Sequence, residues 1–297
     1  MPDESRDGLT TYLLMVLTTA FWGASFVAGK IALPEFPPMT LTFFRFLIAT
    51  VIIFPYMWIK DETKVPKRGD VPLLFGLGFL GVSGFFALMF NSLLYTSAAN
   101  SAIINALNPL TSSVIATFLT DERLDSRKLG LIFLALFGVL LTVTGGDIDV
   151  LLSLGFNKGD MIMVVAMVCF AIYGVYSRRA TSKYSPLLVT GYVFLFALIQ
   201  ITPFMLMDGV LGEVLSYSLK AWVAVVFMAV FSSVLGYLIQ QVTIKKIGVN
   251  KSSLFINLVP LFTILFSYLV LGDSVTIINL ASATIIIVAV ILNSRLK

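Results

Sequence analysis

The feature that most constrains this chain is a series of apolar runs, each about twenty residues long. Ten can be counted: 11–32, 39–59, 72–95, 97–119, 128–145, 159–180, 186–207, 220–244, 248–271 and 275–295. A hydrocarbon core about 30 Å thick is crossed by about 20 helical residues. Inside it, each peptide group must find its hydrogen bond within the protein, and for runs of this length that means a helix. The chain therefore reads as an all-α polytopic membrane protein with ten transmembrane helices. Composition agrees, with 58% of the 297 residues hydrophobic and only 12% charged. The first run has no small-residue cleavage site after it, so "MPDESRDGLTT" reads as a short tail before a retained helix.

The loops orient the spans. Sixteen Lys and Arg fall on one side: Arg6, four in 60–68, three in 123–128, three in 178–183, three in 245–251, and Arg295 with Lys297. The other side holds three, Lys30, Lys158 and Lys220, and Arg45 lies within a span. Cytoplasmic loops carry the basic excess, so both termini are expected in the cytoplasm, with the chain in the inner (cytoplasmic) membrane. The net charge of +4 comes from these loops and does not point to nucleic acid. Loops of roughly 4 to 15 residues offer no large docking surface, and a monomer is expected; the partners are the bilayer and a small-molecule substrate. With no His and a single cysteine, Cys169, imidazole chemistry, an intrachain disulfide and a cysteine metal site are excluded, and no cofactor or metal is expected.

The chain also repeats itself. "TSAANSAIINALNPLTSSVIATFLTDERL" (96–124) parallels "KIGVNKSSLFINLVPLFTILFSYLVLGDSV" (246–275). Pro109 meets Pro260 at an offset of 151, and the same offset pairs Glu122 with Asp273 and Trp22-Gly23 with Tyr173-Gly174. Five spans is an odd number, so the second copy must insert upside down. The expected plan is a 5+5 inverted-topology repeat: 1–145, an external linker 146–158, and 159–297. Inverted repeats are typical of transporters, with the substrate site between the halves and alternating access by their rocking.

"FWGASFVAGK", "FFRFL" in the second span, "ANSA" before "INALNPL", and an acidic residue after the fourth span resemble the EamA-type family of the drug/metabolite transporter superfamily. The resemblance covers nearly the whole chain. It implies ten helices in a 5+5 inverted repeat and export of amino acids or other small metabolites. One departure is that the second half has no counterpart to Arg45; the aligned region reads "TGYVF".

Polar side chains within spans are costly and mostly face a bundle interior or a water-filled path. Ser101, Asn105, Asn108 and Ser112 form one stripe on the fourth span, and Asn250, Ser253 and Asn257 another on the ninth. Pro109 and Pro260 each remove a helix hydrogen bond and are expected to free a carbonyl there. The candidate substrate-binding residues are Trp22, Arg45, Asn91, Tyr95, Asn105, Asn108, Tyr173, Tyr176, Tyr237, Gln240 and Asn257. Asn and Ser in spans also serve simply to bond neighbouring helices. Gly76, Gly78, Gly81 and Gly84 give the third span small faces for close packing. Arg45 has three readings: snorkelling outward as an anchor, bonding inward to hold helices together, or facing the cavity to bind a substrate carboxylate.

No Asp or Glu lies in the middle third of any span, which argues against proton-coupled export of cationic drugs. Amide and hydroxyl stripes suit neutral or zwitterionic amino acids, and export of these is the leading expectation. A carrier of anionic metabolites such as sugar phosphates or nucleotide conjugates is the alternative, motivated by Arg45 and Lys30. A membrane-embedded enzyme and a non-transporting receptor are remote alternatives, since His, in-span carboxylates and Cys pairs are missing.

Overall fold

The structure is a computed structural model. It describes residues 4–92, 126–144, 158–272 and 277–295, with positions 95, 104, 108, 111, 112, 115, 118, 146, 147, 149 and 152 between them. Among these residues there are helices and connecting turns and no strand. The helices are α1 (Glu4–Ala32), α2 (Pro38–Lys60), α3 (Val71–Gly78), α4 (Gly84–Ser92), α5 (Ser126–Thr144), α6 (Lys158–Lys183) and α7 (Pro186–Met207). They continue as α8 (Leu219–Phe227), α9 (Gly236–Ile247), α10 (Val249–Leu254), α11 (Val259–Leu271) and α12 (Ile277–Arg295).

Seven helical stretches of the described chain are long and apolar enough to cross a membrane: Leu9–Gly29, Pro38–Lys60, Arg68–Met89, Met161–Lys183, Pro186–Met207, Leu219–Ile247 and Lys251–Val270. They correspond to the first, second, third, sixth, seventh, eighth and ninth apolar runs. The fifth and tenth runs are α5 and α12, and most of the fourth lies outside the described residues.

Local sequence explains how the helices begin and bend. Pro38 and Pro186 occupy first-turn positions, where a missing N–H costs nothing. Ser185 and Ser218 cap α7 and α8 by accepting from the amides of Leu188 (3.0 Å) and Ala221 (3.2 Å). Gly248, at φ +83°, turns the chain from α9 straight into α10, a left-handed conformation that glycine adopts without strain. Two spans contain a π-helical turn: Phe79–Ser83 joins α3 to α4, and Met228–Leu235 joins α8 to α9. Pro260 follows a 3₁₀ turn, Phe255–Leu258. The carbonyl of Ile256, which a proline four residues on leaves without its α-helical donor, accepts from the Val259 amide instead. The expectation of a free carbonyl at this proline is thus corrected, because the tightened turn consumes it.

The packing crosses between the two halves of the sequence. α2 lies along α7, α5 along α12, and α4 along α6. α1 packs on α8, α9 and α11. The π-turn of the third span is covered by α6 and α7, and that of the eighth by α1 and α2. Helices one offset of 151 apart therefore play matching parts. A central cluster including Phe46, Ile53, Met57, Leu77, Tyr173 and Phe194 fills the junction.

Charged clasps close the loops. The Glu35 carboxylate accepts from the backbone N–H and the hydroxyl of Ser218, both at 2.6 Å. Nearby, Asp208 accepts from the amide (2.9 Å) and hydroxyl (2.7 Å) of Thr40, at the start of α2. Elsewhere Asp70 pairs with Lys183 at 2.5 Å and accepts from the Tyr184 hydroxyl at 2.7 Å, while Ser185 donates to Asp61.

Candidate functional site

Two polar features lie inside the bundle, with aromatic side chains between them. The first is a pocket lined by Asn108, Ser112, Phe170, Gly174, Gln240 and Ser253, among others. Asn108 and Ser112 share one helical face, and the Ser112 hydroxyl donates to the Asn108 side-chain oxygen at 3.2 Å. Asn257 is buried one turn beyond Ser253. Two pocket residues carry buried polar atoms without a hydrogen-bond partner, Asn108 Nδ2 and Gln240 Oε1, and so do Gln241 Oε1, Thr243 Oγ1 and both amide atoms of Asn257 elsewhere in the interior. Buried polar groups are ordinarily satisfied, so these atoms set the region apart from the rest of the interior. The cavity among these residues measures about 10 Å³, roughly the room of a single water.

The second feature is Arg45, 7% exposed and turned into the protein. Its Nε donates to Ser233 Oγ at 2.7 Å, and Nη1 reaches Ser25 Oγ at 3.5 Å. The guanidinium carbon lies 5.3 Å from the Phe46 ring centre and 5.1 Å from that of Phe86. Outward snorkelling is therefore not what this side chain does.

Between the two lies the aromatic group. The Tyr237 hydroxyl donates to the carbonyl of Gly81 at 2.8 Å, and Trp22 Nε1 donates to that of Ser232 at 3.1 Å. Gly81 and Ser232 are 151 residues apart and each sits within a π-turn, where the loosened ladder leaves carbonyls available. The Tyr173 ring covers Gly81 so closely that a β-carbon there would overlap it, and one on Gly236 would come within 2.7 Å of Trp22 Nε1. Tyr173 and Trp22, also 151 apart, thus pack against matching π-turns. Gln241 Nε2 donates to the Tyr173 hydroxyl at 2.5 Å and to Ser177 Oγ at 3.2 Å.

The structure brings Trp22, Arg45, Asn108, Tyr173, Tyr237, Gln240 and Asn257 into the bundle interior, with Tyr176 half-buried against the same core. It does not bring Asn91 and Tyr95 there. Asn91 is exposed and bonds back to its own helix at Ala87, and the half-exposed Tyr95 ring carries Lys158 4.5 Å above it. Asn105, Ser101 and Pro109 lie outside the described residues, as do the side chains of Lys30 and Asn250. Gly76 has open space around it, unlike Gly78 and Gly81, so it does not serve a close helix contact. Sequence reasoning missed Gln241 and Thr243, and also the bond from Ser83 to Gln200 (2.5 Å) that ties the third span to the seventh. Gln241 was within reach, being one helical turn from Tyr237.

The sequence model of the EamA-like transporter family matches residues 9–144 and again residues 157–295, so the domain is duplicated. The two matches end 151 residues apart. The uncharacterized transporter YyaM of Bacillus subtilis is 33% identical over 284 residues, covering 95% of this chain and 93% of that protein. A probable amino-acid metabolite efflux pump of Salmonella typhimurium is 24% identical, over 97% and 94% of the two chains. A crystal structure of a protein 18% identical in sequence superposes with a TM-score of 0.77 over 95% of each chain, a likeness of fold. The doubled family match, the apolar helices and the relatives together place this multi-pass membrane protein in the EamA-like transporter family.

Proposed function

We propose that the protein exports neutral or zwitterionic amino acids, or closely similar metabolites, across the inner membrane by alternating access. The observation that carries this reading is the set of buried amide atoms without partners on Asn108, Gln240 and Asn257, contributed by both halves of the chain, with Asn108 and Gln240 lining one small pocket. A polar guest would satisfy these atoms, and movement of the halves would admit it. The name of the Salmonella relative supports the substrate class. The matched π-turns, the crossed packing and the 151-residue spacing support ten spans in a 5+5 inverted repeat, divided near 145 and 159. The sixteen-to-three distribution of basic residues supports cytoplasmic termini. The test is reconstitution in liposomes with a panel of labelled amino acids. Saturable flux that falls in Asn108→Leu and Asn257→Leu is expected; absence of flux for every member would overturn the amino-acid reading.

The second reading is a carrier of anionic metabolites such as sugar phosphates or nucleotide conjugates, with Arg45 and Lys30 as its candidate cations; the side chain of Lys30 lies outside the described residues. This reading needs two converging cations, and among the described residues Arg45 is the one buried cation.

A further inference from the structure

Arg45 is held in a way that leaves its charge unanswered. A guanidinium carries five N–H donors and cannot shed its proton. Two are used, one well at Ser233 Oγ and one at the 3.5 Å limit to Ser25 Oγ. The rings of Phe46 and Phe86 lie near the cation and favour it electrostatically, but they accept no conventional hydrogen bond. The Tyr237 hydroxyl is committed to the Gly81 carbonyl. Among the described residues no carboxylate pairs with Arg45. A buried cation with three unused donors and no counter-charge is costly, and proteins ordinarily pair such a group.

We infer that Arg45, with Ser25 and Ser233, is a subsite for a single monovalent anion, the carboxylate of the transported molecule or a small inorganic anion such as chloride. The inference rests on the transport reading above and sharpens it. The planar fork of an arginine matches a carboxylate with two parallel bonds, which a lysine would not reproduce. A doubly charged group is disfavoured, because one cation answers one charge. The two serines come from opposite halves, Ser25 on α1 and Ser233 in the π-turn between α8 and α9, so the anion would be gripped across the junction. The subsite is separate from the amide pocket but joined to it by ring contacts. Phe86 touches Phe85 at 5.1 Å, and Phe85 touches Phe170, which lines the pocket, at 4.9 Å. A zwitterion could thus be read as two parts, its carboxylate at Arg45 and its remaining polar groups at the amides.

The test uses the full chain in lipid nanodiscs, with its melting temperature followed as chloride or acetate replaces sulfate, a doubly charged anion that the subsite disfavours, at constant ionic strength. A saturable rise is expected, abolished in Arg45→Gln. A panel of amino acids is then compared with their carboxamides: the carboxamides should bind at least tenfold more weakly to the native chain and equally well to Arg45→Gln. Amino acids that compete with chloride identify the anion as the substrate's carboxylate. A chloride effect that no amino acid competes with identifies it as inorganic. If Arg45→Gln does not fold, Ser25→Ala and Ser233→Ala keep the charge and should each raise the half-saturating anion concentration several-fold. Identical responses in native and variant proteins, or no saturable response to chloride, acetate or any amino acid, would overturn the subsite. Flux without any dependence on Arg45 would sink the subsite alone, whereas anion binding without flux of any metabolite would sink the transport reading alone.

Discussion

Small differences in side-chain volume and polarity decide what single residues do here. Gly81 touches the Tyr173 ring where a β-carbon would collide, and Gly76, five residues earlier on the same span, faces open space. Gly81→Ala should therefore destabilise the protein by about 1–3 kcal/mol. Gly76→Ala should be neutral or stabilising by about 0.5–1 kcal/mol, since it only stiffens the helix. Thermal unfolding of both variants in detergent checks the pair, and equal effects would mean that the ring does not rest on Gly81. Asn257 offers a second contrast. Both its amide atoms lack partners, and leucine keeps its branched outline. Asn257→Leu should change stability by less than about 1.5 kcal/mol while removing most of the flux. Arg45 and the interior asparagines stand out in the sequence because polarity in an apolar run is conspicuous. Asn91 and Tyr95 stand out equally but face outward, since a span end gives a polar residue an escape that the middle does not.

At the scale of elements, helix boundaries were legible and helix irregularities were not. The apolar runs and their capping residues, Pro38, Pro186, Ser185 and Ser218, mark where spans begin. Nothing in hydrophobic periodicity marks a π-turn, because one extra residue in a fully apolar helix leaves the pattern unchanged. The clasps were equally hidden: Glu35 and Ser218 are 183 residues apart, and a contact between two loops has no period. The Glu35 clasp is testable through acid. Hydrogen bonds from the Ser218 hydroxyl and amide hold the Glu35 carboxyl below its ordinary value. A carboxyl lowered on folding stabilises the fold above its unfolded pKa, about 4.3. That contribution is lost as pH falls from there through the lower folded value. The melting temperature should thus drop in that acidic window in the native chain. Glu35→Gln should already lack the contribution at neutral pH and flatten the profile; parallel profiles would mean the clasp is idle.

At the scale of the whole molecule, the duplication was legible through a single number, 151, that recurs in two prolines, two aromatics and the ends of both family matches. The consequence for topology can be measured. Reporters fused after Lys297 and inserted within 146–158 should lie on opposite sides of the membrane, with the C-terminal one cytoplasmic. The same side for both would contradict ten spans. The long-range bond of Arg45 has a consequence for how such a chain is made. Its Ser233 anchor is 188 residues downstream. At about 5–20 residues per second, the ribosome needs about 10–40 s to supply it. Through that interval the second span carries an arginine that insertion resists by about 2.5–3.5 kcal/mol. The span is thus a reluctant guest of the bilayer until the eighth arrives, and a nascent chain stopped before Ser233 should leave it accessible to water-soluble reagents.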